Sequence, residues 1–121
     1  MKLQALRPVL RTHQLEETIR FYADVLGFSV DNYVAEVGWA SVSKDDVSIM
    51  LSIPNAHYPF VKPVFTGSFY FNTNNVDALW EQLKDKATVC YALETFDYGM
   101  REFAIFDNNG YLLQFGEEVI E

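Results

Sequence analysis

The sequence predicts an α+β fold: two βαβββ units whose strands form a curved, mixed-sheet trough, all within one domain spanning residues 1–121. Three observations lead there. Laid on itself with a shift of about 61 residues, the chain repeats the order strand, helix, three strands. Each repeat holds one segment with apolar residues at helical spacing. The remaining segments alternate apolar and polar residues, as half-buried strands do.

The first unit runs over about 3–53. Its opening strand, Leu6 to Arg11, sets Leu6, Pro8 and Leu10 on one side and Arg7, Val9 and Arg11 on the other. A helix follows, with Leu15, Ile19, Tyr22 and Leu26 on one stripe and Glu16, Glu17, Arg20 and Asp24 toward water. Gly27 ends it, because the residue past a helix C-terminus commonly needs a left-handed backbone. Strands are expected at Phe28 to Val34, Val37 to Ser43 and Val47 to Ile53, the last two joined at Lys44-Asp45-Asp46.

The second unit, about 66–116, repeats this plan. Ser68 to Asn72 opens it, Asn74 or Asn75 caps the helix, and Val76, Leu79, Trp80, Leu83 and Ala87 form the buried stripe. Strands follow at about Thr88 to Glu94, Arg101 to Phe106 and Tyr111 to Phe115, and Asp107-Asn108-Asn109-Gly110 makes a tight turn. Between the units, residues 54–65 hold three of the chain's four prolines and read as a stiff linker.

A helix covers one face of its sheet and leaves the other to bury itself or to line something. The covered face is expected to carry Leu6, Leu10, Ile49, Leu51, Ile53, Phe69, Phe71, Leu113 and Phe115. Opposite it fall Arg7, Arg11, Trp39, Ser41, Ser48, Met50, Ser52, Ser68, Tyr70, Asn72, Phe103 and Gln114. Rings among hydroxyls, amides and charge are the composition of a concave small-molecule site, although burial in a dimer interface fits as well. Asp31, Glu36, Asp97 and Glu102 are the carboxylates expected near the cleft rims. Arg7 and Arg11 face the same side, either to pair with Glu102 or to hold an anionic group of a ligand.

Composition narrows the function classes. Half of the 121 residues are apolar and 21% charged, which excludes a disordered or fibrous chain. A formal charge of −8 disfavours nucleic acid and suits neutral or cationic small partners. No apolar stretch approaches the roughly 20 residues that span a bilayer, and the first residues lack the apolar core of a secretion signal, so no membrane partner and a cytoplasmic address are expected. The single cysteine, Cys90, is read as a small buried hydrophobe. His13 and His57 are read as exposed, and no nucleophile elbow or phosphate loop is present.

The run Leu15-Glu16-Glu17-Thr18-Ile19-Arg20-Phe21-Tyr22, then Val25-Leu26-Gly27-Phe28, and the closing Arg101-Glu102-Phe103-Ala104-Ile105-Phe106-Asp107-Asn108-Asn109-Gly110-Tyr111 resemble the vicinal oxygen chelate superfamily. That group includes glyoxalases, extradiol dioxygenases, fosfomycin-resistance and bleomycin-resistance proteins. The resemblance covers nearly the whole chain and implies the trough fold. In the superfamily's enzymes, His, Glu or Gln on the first and last strand of each unit hold a divalent metal. Carried over, those places are Arg7, Met50, Ser68 and Gln114, of which Gln114 alone is a credible donor. No metal and no other cofactor is therefore expected, and metal-assisted chemistry loses its driver.

Within the superfamily, Pro8-Val9-Leu10, Leu26-Gly27-Phe28-Ser29, Asp45-Asp46-Val47, Arg101 to Ala104 and Phe115-Gly116-Glu117-Glu118 resemble the bleomycin-resistance branch. The resemblance implies an acidic, metal-free, arm-exchanged homodimer that holds a cationic drug in clefts at the subunit interface, with Trp39, Tyr70 and Tyr98 as aromatic cleft residues. Asn72 and the Asn32-Tyr33 stretch depart from that branch's aromatic and acidic positions. The expected ligand set is Trp39, Tyr70, Tyr98, Phe103, Met50, Ser68, Gln114, Arg7, Asp31 and Glu102, with no catalytic residue. The leading reading is a non-catalytic protein that sequesters bleomycin-like or other aromatic cationic molecules. A superfamily enzyme, metal-dependent around Gln114 or metal-free with Glu102 as base, stands second, and a regulatory or structural dimer third.

Overall fold

The stripe read at Leu15, Ile19, Tyr22 and Leu26 is buried in the computed structural model, which describes residues 1–55, 57 and 61–120. The chain divides into two units, Met1–Pro63 and Val64–Glu121. Of the linker expected over 54–65, positions 56 and 58–60 lie outside the described residues, and the described part carries no helix or strand.

The first unit contains β1 (Val9–Arg11), α1 (Leu15–Arg20), β2 (Ser29–Val34), β3 (Trp39–Lys44) and β4 (Val47–Ser52). Its sheet has the order β1-β4-β3-β2, with β1 parallel to β4 and the other pairs antiparallel. Past Arg20 the helix widens into π-helical turns over Phe21–Val25, closed by the Leu26 amide donating to the Phe21 carbonyl at 3.2 Å. That widening sets Tyr22 edge-on between Phe21 and Phe28, each ring 5.7 Å away, with no exposed surface. Gly27 then takes φ +80° and stops the helix. Leu6, expected under the helix, is 92% exposed: the ladder to β4 starts at the Pro8 carbonyl, so residues before it have no partner strand to set their facing. Ile53, expected on the same covered face, lies just past β4 and is exposed as well.

The second unit contains β5 (Phe69–Asn72), α2 (Val76–Leu83), β6 (Thr88–Thr95), β7 (Met100–Phe106) and β8 (Leu112–Glu118), with sheet order β5-β8-β7-β6. Asn75 caps α2 by accepting from the Ala78 amide at 3.2 Å. The helix ends at Leu83, short of Ala87, because Lys84-Asp85-Lys86 turns away, the Lys86 amide donating to the Leu83 carbonyl. Side chains from the sheet hold the helix down: Glu117 accepts from the Val76 amide at 3.0 Å, and Arg101 pairs with Asp77 at 3.0 Å. At the β7–β8 turn Asp107 accepts from the amides of Asn109 and Tyr111, and Gly110 takes φ +95°. Cys90 is exposed on the edge strand β6, and not buried as its residue type suggested.

Beneath α2, Phe71 stacks on Phe115 at 5.0 Å, Phe115 on Phe103 at 5.2 Å, and Phe103 meets Trp80 of the helix at 5.1 Å. This corrects the expected place of Phe103. Register pairs it with Phe115, and neighbours on a strand point to opposite faces, so Phe103 and Glu102 cannot both face the open side. Phe103 is a fully buried core ring and leaves the candidate ligand set. Phe103→Ala should therefore lower the free energy of unfolding by about 3–5 kcal/mol in a urea titration, the cost of an aromatic-sized cavity. A loss below about 1 kcal/mol would mean that the ring is not packed in the core.

Candidate functional site

On the open face of the second unit's sheet, register brings polar side chains from four strands together. Tyr70 on β5 stands beside Gln114 on β8, Gln114 beside Ala104 on β7, and Ala104 beside Tyr91 on β6. One step along, Glu102 lies beside Gly116. Glu102 is 1% exposed, and a charge so buried is tolerable only where donors replace its lost water. The Tyr98 hydroxyl donates to Glu102 Oε1 at 2.6 Å and the Tyr70 hydroxyl to the same oxygen at 3.3 Å. Tyr91 donates a short hydrogen bond to Oε2, and Gln114 Nε2 approaches Oε2 at 3.4 Å while donating to the Tyr91 oxygen at 2.8 Å. Gln114 Oε1 in turn accepts from Ser68.

Local backbone makes this arrangement possible. Gly116 has no side chain, and a Cβ there would overlap the Tyr70 hydroxyl, so the tyrosine reaches Glu102 across a gap that glycine alone leaves open. The connection from β6 to β7 folds back with the Gly99 amide on the Phe96 carbonyl and Gly99 at φ +88°, which returns Tyr98 toward Glu102. Phe96 stacks on Tyr98 at 5.4 Å and meets Tyr91 edge-on at 5.7 Å, making an aromatic wall.

The carboxylate sets the electrostatics. Its hydrogen bond, followed by burial, pushes the Tyr98 hydroxyl up to about 12. Tyr91 is raised further, by burial first and the Glu102 hydrogen bond second, and Tyr70 is raised by burial and then by the Glu102 charge. All three stay protonated donors through the physiological range, since ionising any of them would place a second anion beside the first.

Of the residues singled out in the sequence, Tyr70, Tyr98, Glu102, Gln114 and Ser68 are brought together here, and Phe103 is not. Glu102, expected at a rim, is instead the buried centre. Trp39, Met50, Arg7 and Asp31 belong to the first unit. Asp31 is exposed at an irregularity of β2. Trp39 and Met50 are half-buried on the open face of the first sheet, where Arg7 donates to the hydroxyls of Ser41 at 2.7 Å and Ser48 at 3.2 Å, and Arg11 to Ser52 at 2.9 Å. Serine hydroxyls thus accept from both arginines within the first unit. Sequence reading missed Tyr91 and Phe96. Tyr91 lies on a strand whose alternation is broken by irregularities between Val89 and Tyr91 and between Tyr91 and Glu94, so counting by twos does not reveal its face.

Arg7, Met50, Ser68 and Gln114, the four places suggested for metal ligands, do not fit a divalent ion. They offer a cation, a thioether, a hydroxyl and an amide, and the hydroxyl is bonded to the amide oxygen. Among the described residues no group of three or more His, Cys, Asp or Glu is arranged to hold a metal.

Residues 4–115 match the model of the Glyoxalase/Bleomycin resistance protein/Dioxygenase superfamily. The chain belongs to this superfamily. A glyoxalase/bleomycin resistance protein/dioxygenase from Nocardioides is similar in structure, with TM-score 0.78 and 15% identity, covering 98% of this chain and 85% of that one. One from Alicyclobacillus acidocaldarius gives TM-score 0.75 and 14% identity, over 95% and 91%. A protein of unknown function from Agrobacterium tumefaciens str. C58 gives 0.81 and 16%, over 98% and 97%. No curated protein matches the sequence. At such identities the likeness extends to the fold, and the site of this superfamily member has to be read from its own side chains.

Unfolded tyrosines lose their protons near pH 10, whereas the folded protein holds the Tyr98 proton to about 12. The stability this gives is fully present below about pH 10 and is lost as pH rises through the folded value. Phenolate absorbance should show a group titrating near 12 that Tyr98→Phe removes, and the variant should lose less stability between those pH values. Identical alkaline profiles would disprove the Tyr98–Glu102 contact.

Proposed function

We propose that this superfamily member is a non-catalytic binding protein that takes up a small aromatic cation, of which bleomycin-like antibiotics are the first candidates. The observation that carries this reading is the buried Glu102 carboxylate ringed by Tyr70, Tyr91 and Tyr98. A carboxylate behind tyrosine rings attracts positive charge, and each cation–π contact contributes about 0.5–2 kcal/mol. The chain's charge of −8 adds long-range attraction. Tyr98 is the most exposed of the set, 66% accessible against 40% for Tyr70, and is the group a ligand meets first. Serving as a catalytic base would require a substrate to reach a carboxylate both of whose oxygens already accept hydrogen bonds, which favours binding over turnover.

Resistance by sequestration, in a cytoplasmic homodimer, is the physiological role this reading supports. Fluorescence titration with bleomycin should saturate, and Tyr98→Ala should weaken binding by roughly 2- to 30-fold, the equivalent of one cation–π contact. Absence of saturation at high micromolar drug would remove bleomycin, and absence with a panel of aromatic cations would remove the reading.

The dimer is argued from the sheet edges: β2 is an edge strand exposed along its whole length, which leaves backbone groups for a partner to cover. Sedimentation at micromolar concentration should give twice the 13.9 kDa chain mass. A single monomeric species would count against it.

A further inference from the structure

Glu102 is surrounded by donors up to the limit of what a carboxylate accepts. An ionised carboxylate offers about four lone-pair positions. Tyr98 and Tyr70 donate to Oε1, and Tyr91 and Gln114 donate to Oε2. Its neighbours are engaged in the same way: the Tyr91 oxygen takes a hydrogen from Gln114, and Gln114 Oε1 takes one from Ser68. Negative charge is therefore present without a vacant carboxylate lone pair, and what a newcomer meets instead is ring. Phe96 covers one face of Tyr98 at 5.4 Å, while 66% exposure leaves the other toward water, and Tyr70 is 40% exposed.

Cations differ in what they ask of such a place. A primary ammonium carries three N–H groups bonded to water, and leaving that water is costly where no acceptor replaces it. A quaternary ammonium has no N–H to satisfy. It removes methyl surface from water and sets its charge against ring faces with an anion behind them, so the occupied carboxylate costs it nothing. Glu94, whose charge also acts on Tyr98, is exposed, and an ion pair made there in water adds little to either cation.

We propose that the Glu102 site selects cations without N–H groups, taking a quaternary ammonium head on an aromatic ring in preference to the corresponding primary amine. This rests on the binding reading above and narrows its ligand class. Tyr98 is the specificity-determining residue: its ring receives the charge, and its hydroxyl closes one position of Oε1 to N–H donors.

The test compares benzyltrimethylammonium with benzylamine, protonated at neutral pH, in titrations followed by the amide resonances of Tyr98, Gly99, Glu102 and Gly116. The quaternary ion should saturate these shifts and bind about tenfold tighter or more. Tyr98→Phe keeps the ring and vacates a position on Oε1, so benzylamine should gain and the ratio of affinities should fall by about threefold or more. Tyr70→Phe, which vacates the other position on that oxygen, should move the ratio in the same direction, whereas Glu94→Gln should leave it in place. Each variant's own spectrum reports its fold. Saturation by both cations with affinities within about threefold of each other, or tighter binding of benzylamine, overturns the selection and leaves the aromatic-cation reading standing. Saturation by neither removes the selection together with that reading. A ratio unchanged in both phenylalanine variants overturns the proposal too, because the filled carboxylate is then not its cause.

Discussion

A carboxylate held in the middle of a β-sheet has lost its water, and the protein must return an equivalent set of donors or the strand will not stay where it is. Glu102 on β7 is that carboxylate, and much of the second unit's irregularity is explained by its needs. The breaks in the β6–β7 register carry Tyr91 to one oxygen, the folded-back 96–99 segment carries Tyr98 to the other, and the bare backbone of Gly116 lets Tyr70 cross above β8. Hydrogen bonds to a charged group each contribute about 1.5–3 kcal/mol, so the set offsets a desolvation cost that no single tyrosine matches.

Both faces of this sheet are aromatic, yet they act by different physics. Under α2, Phe71, Phe103 and Phe115 stack as rings with nothing polar to satisfy, and their contribution is area removed from water. On the open side every ring that touches Glu102 has a hydroxyl, and its contribution is directional. Adjacent residues Glu102 and Phe103 belong to these two worlds, because strand geometry sends successive side chains to opposite faces.

The repeated βαβββ plan supports two chemistries on one scaffold. Equivalent open faces carry an anion with phenolic donors in the second unit and guanidinium cations with serine hydroxyls in the first. Duplication of a fold conserves the strand order and the helix-covered core; it places no such demand on the side chains that point away from the helix. The same freedom leaves an arginine, a methionine, a serine and a glutamine at Arg7, Met50, Ser68 and Gln114 of this chain.

By itself the sequence determined the number and order of elements, the buried stripes of both helices, the Asn75 cap, the turn at Asp107 and the superfamily, because these depend on contacts close in the chain and on periodicities that survive in a string of letters. It also named most of the open-face residues, Tyr70, Tyr98, Glu102, Ser68 and Gln114 among them. Only the tertiary structure decided which of them meet, that Tyr91 and Phe96 join them, and that Phe103 does not. The physical reason is register: one irregularity in a strand reverses the facing of every residue beyond it, and irregularities arise from pairing with a neighbour tens of residues away.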